Sequence, residues 1–196
     1  MIPAACAALI GTLVAGASLA RAATVEGAIR VAGRPAAHAV VALEHVGAAP
    51  LPSAPTRVVM DQRNLAFVPG VLPVVRGTVI EFTNSDDVQH NVFSPSAIAG
   101  KFDLGTYGPG ATRTVTLDTP GDVRVLCNIH MEMEAHILVL DTPYFSTVPA
   151  DGRYRIADVP AGTYTVRVWQ GRWLSTAQTV DLPAAGTLTV DIVAGE

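Results

Sequence analysis

Val123-Arg124-Val125-Leu126-Cys127-Asn128-Ile129-His130-Met131-Glu132-Met133 decides how this chain is read. Its first five residues alternate, so Val123, Val125 and Cys127 share one face of a β-strand. If the valines face a core, the cysteine sulfur points inward from the strand's end, and a thiolate buried there needs a metal or a cation. His130 and Met133 follow the cysteine at three and six residues, and His90 lies upstream in Asn84-Ser85-Asp86-Asp87-Val88-Gln89-His90-Asn91. One thiolate, two imidazoles and one thioether form the donor set of a blue-copper site. Thiolate and thioether are soft donors suited to Cu(I), and methionine is a poor ligand for zinc, magnesium or calcium. Copper is the expected metal, one ion held by His90, Cys127, His130 and Met133.

Working outward, helical periodicity is scarce. Short runs of period-two alternation recur between Gly, Pro, Asp and Asn, which predicts an all-β chain. Thr78 to Thr83 places Ile80 and Phe82 on one face, Thr112 to Leu117 turns Val115 and Leu117 inward, and Tyr164 to Val168 does the same with Tyr164, Val166 and Val168. Two strand-like runs surround Ala32-Gly33-Arg34-Pro35, a Pro/Ala-rich connection spans Ala48 to Pro55, and Val58 to Leu140 holds every expected ligand.

The 196 residues, 49% hydrophobic and 15% charged, suffice for one large or two small cores. Residues 1–22 carry an uncharged apolar run, Ala4 to Ala20, ending in Ala20-Arg21-Ala22, the small-x-small pattern of a cleaved secretory signal. The expectation is export to the periplasm and no membrane insertion afterwards. Cys6 falls inside that segment, which leaves Cys127 as the lone thiol of the processed chain. In an oxidising compartment a lone thiol has to be buried, catalytic or metal-bound, and the neighbouring His and Met favour metal. Removing the segment moves the formal charge from −4 to −5. With Lys101 the only lysine and no basic patch, nucleic acid is not an expected partner.

Two resemblances follow from these residues. The central segment resembles a cupredoxin: Cys127-x2-His130-x2-Met133 has the ligand-loop spacing of amicyanin-type and pseudoplastocyanin-like proteins, and Asn84-x5-His90 resembles the first ligand loop. Cys127-Asn128-Ile129-His130 followed by Asp141-Thr142-Pro143-Tyr144-Phe145 is similar to plastocyanin-like methylamine utilisation proteins. The outer segments, Gly33-Arg34-Pro35 to Leu43 and Asp151-Gly152-Arg153-Tyr154 to Trp169, resemble a carboxypeptidase regulatory-like, transthyretin-like β-sandwich split in two. The resemblances imply a Greek-key cupredoxin sandwich at residues 56–145 inserted into a small sandwich built from residues 23–47 and 146–196. Met133 is the axial ligand by family spacing, with Met131 as second candidate.

Taken alone, Cys127 reads as a buried structural cysteine and His90 as a turn histidine; their combination with His130 and Met133 favours metal. Asn84 or Asn91 is expected to hydrogen-bond across to the Cys127 loop, or else to serve ordinary turn chemistry. His38, His45 and His136 read as solvated or structural, and Trp169 and Trp173 as packing at the sandwich edge. The functional expectation is a monomeric one-electron carrier for a redox partner protein, and not an enzyme. A copper delivery or sensing module, or a structural binding module with a vestigial metal site, are the alternatives. Copper oxidases and nitrite reductases need further histidine-rich sites, and this chain has five histidines in all.

Overall fold

The computed structural model describes residues 22–47, 56–97, 100–175 and 177–195. Residues 1–21, which hold Cys6 and all but the last residue of the expected secretory segment, and the connection at 48–55 lie outside the described residues. The leading segment forms β1 (Ala22–Val31), β2 (Arg34–Pro35) and β3 (Val40–His45). The central segment forms β4 (Arg57–Arg63), β5 (Ala66–Val68), β6 (Val71–Val75), β7 (Thr78–Asn84), β8 (His90–Ser94), β9 (Phe102–Tyr107), β10 (Thr112–Leu117), β11 (Gly121–Leu126) and β12 (Glu134–Leu140). The trailing segment adds β13 (Phe145–Thr147), β14 (Arg153–Pro160), β15 (Gly162–Trp169), β16 (Gln178–Leu182), β17 (Gly186–Thr189) and β18 (Ile192–Ala194). The architecture is all-β, and among the described residues no helix is long and apolar enough to cross a membrane.

Four sheets make two sandwiches. The central strands give one sheet ordered β10-β7-β4-β5 and a facing one ordered β6-β12-β11-β8-β9. Alternation sends Ile80, Phe82, Val123, Val125, Ile137 and Val139 into the core between them, and Cys127 and Met133 belong to the same buried cluster. The leading and trailing strands give the other pair, β14-β1-β17 with β2 and β18 joined to β1, and β13-β3-β15-β16. β1 pairs antiparallel with β14 and parallel with β17, and β3 pairs with β15, so chain ends more than a hundred residues apart share each sheet. Val25, Ile29, Val41, Leu43, Tyr164, Val166 and Val168 fill this outer core.

One contact sets the relation between the sandwiches. β12 is buried along both faces: Ala135, Ile137 and Val139 look into the central core, while Leu138 and Leu140 meet Val40 and Ala42 of β3 and Trp169 of β15. Burying a Val or Leu side chain contributes roughly 1.5–3 kcal/mol, so this apolar contact, the seam between the sandwiches, is a strong joint. Trp169 and Trp173 lie here, between two units instead of at a free sandwich edge. The alternation of one unit cannot say which faces its partner will cover.

Candidate metal centre

β11 delivers Cys127 at its end, and β12 starts directly after Met133, so the ligand loop is the connection of an antiparallel pair. The Cys127 N–H donates to the Met133 carbonyl at 3.3 Å, and the Met133 N–H donates to the His130 carbonyl at 3.0 Å, which closes the loop on itself. β8 lies beside β11 through the Leu126–Phe93 pair, which brings His90, the first residue of β8, to the same end of the sheet.

There the side chains converge. The donor atoms of His90, Cys127 and His130 all lie within 4.8 Å of one another. The two Nδ1 atoms are 3.0 Å apart, and the His130 N–H donates to Cys127 Sγ at 3.5 Å. Two nitrogens bound at about 2 Å to one ion are separated by about this much at a near-tetrahedral angle. His90, Cys127 and Met133 are 0%, 3% and 1% exposed, leaving half-buried His130 as the ligand nearest solvent. Met133 is thus inside with the other donors, whereas Met131 is 82% exposed. A buried thiolate, two facing imidazole nitrogens and a buried thioether fit copper and give zinc or calcium an unsuitable fourth donor.

The far side of His90 carries a residue that the sequence reading passed over. Asp86 Oδ2 accepts from His90 Nε2 at 2.9 Å and from the Leu65 N–H at 3.0 Å, while Oδ1 accepts from the Asn64 N–H at 2.6 Å. Burial pushes the Asp86 carboxyl up, but the Leu65 N–H, His90 and the Asn64 N–H outweigh it and hold the group below its ordinary value. A carboxylate at Nε2 keeps the proton on that nitrogen and leaves Nδ1 free to bind metal. The signal lay in the sequence as a carboxylate four residues before a candidate ligand. Asn64 and Leu65 both have positive φ, 55° and 58°, and Asp86 pins this turn between β4 and β5.

The expected asparagine bridge to the Cys127 loop is not what the structure contains. Asn84 donates to the Val88 and Tyr107 carbonyls and accepts from the Asp86 N–H, and Asn91 donates to Asp103. Asn84 therefore shapes the turn that presents Asp86, and Asn91 ties β8 to β9: short polar side chains reach their local turn before a neighbouring loop. Close to Cys127, Tyr107 is buried and bonded to Gln62 and the Phe82 carbonyl, and burial pushes its hydroxyl up to about 12. His45 packs edge-on against Tyr164, and His136 packs against Trp169, both away from the ligands. A crevice of about 560 Å³ opens at the seam, remote from the donor set, and its Arg76–Asp141 and Arg167–Glu44 pairs are mutually satisfied.

Two family models match parts of the chain. Residues 54–140 match the model for copper binding proteins of the plastocyanin/azurin family, and residues 133–195 match the carboxypeptidase regulatory-like domain. No curated protein matches. Among solved structures, the chain is similar to the Cu-containing nitrite reductase from Thermus scotoductus SA-01 at 25% identity and TM-score 0.42, covering 52% of this chain and 26% of that one. It is also similar to a mutant of amicyanin in the Cu(I) form, at 17% identity and TM-score 0.41, with 43% and 82% covered. A purple cupredoxin from Nitrosopumilus maritimus follows at 18% identity and TM-score 0.37, with 43% and 99% covered. The chain thus spans about a quarter of the nitrite reductase's length.

Proposed function

We propose that this chain, a copper-binding cupredoxin domain joined to a carboxypeptidase regulatory-like sandwich, is an exported one-electron carrier and not an enzyme. The observation that carries the reading is the meeting of His90, Cys127 and His130, with Met133 buried in the same core cluster as Cys127. In this reading His90 Nδ1, Cys127 Sγ and His130 Nδ1 would hold copper, with the Met133 thioether as the fourth donor. Bound copper supplies one-electron chemistry by alternating between Cu(I) and Cu(II).

The protein's contribution is to hold the donors so that little has to move when the electron does. Asp86 fixes the tautomer of His90, the closed hydrogen-bonded loop fixes Cys127 and Met133, and core packing excludes water. His130 is the exit, flanked on the surface by Ile129 and Met131, which are 45% and 82% exposed. Location in the periplasm rests on the leading apolar segment with its Ala20-Arg21-Ala22 end. Stopped-flow oxidation of the Cu(I) protein by a soluble one-electron acceptor tests the role. Fast, saturable exchange is expected; slow exchange with ready transfer of copper to a chelator supports a delivery module, the reading that the exposed Met131 thioether favours.

A further inference from the structure

The outward face of the β11–β12 pair carries a run of polar contacts that the copper reading leaves unused. Trp169 of the outer sandwich donates its Nε1–H to Asp122 Oδ2 at 3.1 Å. Asp122 Oδ1 accepts from His136 Nδ1 at 2.7 Å, and the His136 ring lies against Trp169 with centroids 5.0 Å apart. His136 Nε2 lies 3.5 Å from Glu134 Oε1, and Glu134 takes a two-pronged contact from Arg124 at 2.6 and 2.8 Å. The Arg124 N–H is itself held by Ser96 Oγ at 3.0 Å. The ladder therefore starts on the outer sandwich at the seam and ends at Glu134, the residue after Met133, and at Arg124, three residues before Cys127.

We propose that the outer sandwich positions the copper ligands through this ladder, with Trp169, Asp122 and His136 as positioning residues for the Cys127–Met133 loop. The strands leading into and out of the loop are the only covalent supports of three of the four donors, Cys127, His130 and Met133. A hairpin end is prone to fray, and an axial thioether is a long, weak bond whose length follows small backbone shifts. Cross-strand pairs on one face resist such fraying, and here the Arg124–His136 pair is backed by Trp169 of the second domain through the His136 ring, while Arg124 and Glu134 stay in contact with solvent. Asp122 offers one oxygen to each of two donors, so neither sandwich can shift without breaking a bond at a partly buried carboxylate. This inference rests on the copper reading for its consequence at the metal, and on the loop alone for its mechanical part.

The test uses Trp169→Phe, which keeps the ring in the seam and removes only the N–H, and Asp122→Asn, which leaves one of the two donors facing an amide NH2. Trp173→Phe is the control, since that side chain packs in the same seam without joining the ladder. Amide hydrogen exchange of the metal-free protein at Cys127 and Met133 is expected to be at least fivefold faster in both ladder variants and unchanged in the control. The copper-loaded ladder variants are expected to show an altered electron-paramagnetic-resonance spectrum, the signature of a changed axial bond. Exchange and spectra like those of the unmutated protein would overturn the proposal. So would a Trp173→Phe protein that moves as much as the ladder variants, because general seam packing would then explain both. A protein without a thiolate-to-copper band would sink the copper reading alone, and the exchange data would still decide whether the ladder holds the loop.

Discussion

Replacing Asp86 by asparagine removes a single charge and is expected to weaken copper binding although Asp86 is not itself one of the donors. Asp86 receives three N–H donors on two oxygens. An asparagine side chain has one acceptor oxygen, so its NH2 has to face at least one of those donors. If the oxygen keeps the shorter bond to the Asn64 N–H, the NH2 faces both the Leu65 N–H and His90 Nε2. His90 then relaxes by giving up the Nε2 proton and carrying it on Nδ1, the atom that faces His130 Nδ1 at 3.0 Å. That tautomer blocks the metal-binding nitrogen. Loss of such an outer partner of a ligating histidine typically costs 10- to 100-fold in metal affinity, about 1.4–2.7 kcal/mol. The exposed Leu65 N–H can turn to water, so loss of its bond costs the metal-free fold about 0.5–1.5 kcal/mol at most. Competition against a coloured copper chelator measures the first effect and thermal unfolding of the metal-free protein the second. An Asp86→Asn protein that binds copper within twofold of the unmutated chain would refute the tautomer argument.

Other outcomes follow from the same structure. Met133→Leu is expected to alter the copper spectra while Met131→Leu leaves them unchanged, because the first thioether is buried with the donors and the second is in solvent; visible spectroscopy of both variants decides. Gly27→Ala is expected to destabilise the outer sandwich by about 3 kcal/mol, because an added Cβ would sit 2.0 Å from the Val190 carbonyl oxygen and backbone cannot step aside cheaply. Chemical denaturation followed by tryptophan fluorescence measures it, both tryptophans lying at the seam. The hydrogen bond to Asp122 raises His136 above its ordinary 6.5, burial opposes this, and the charges of Asp122 and Glu134 add to the rise. The stabilisation from its protonated form is thus complete below about pH 6.5 and lost as pH climbs through the raised folded value. The unmutated chain should lose more thermal stability between pH 6 and pH 8 than His136→Gln; equal slopes would remove His136 from the seam's energetics.

The parts of this molecule that were legible in the sequence are those whose signal is local. Alternation up to Cys127 put Val123, Val125 and the sulfur in one core, and donor chemistry gathered Cys127, His130 and Met133 in seven residues. His90, far from the others in sequence, entered as the second imidazole that the donor set needs and through its resemblance to a first ligand loop. The choice between Met131 and Met133 turned on which thioether a three-dimensional loop buries. Asp86 stayed hidden because carboxylates in turns are common and its three donors come from two segments. The seam stayed hidden for a different reason. Ile137-Leu138-Val139-Leu140 breaks alternation and so announces a strand covered on both faces, but nothing in that run says that Trp169 and β3 provide the second cover. The long-range pairing of β1 with β14 and β17 likewise depends on chain ends finding each other, which local pattern does not encode.

The visible and electron-paramagnetic-resonance spectra of the purified chain loaded with Cu(II), recorded beside Cys127→Ser, test the copper centre most directly. An intense thiolate-to-copper band that vanishes in Cys127→Ser is the expected result. A colourless loaded protein, or a band that survives the loss of the sulfur, would contradict it.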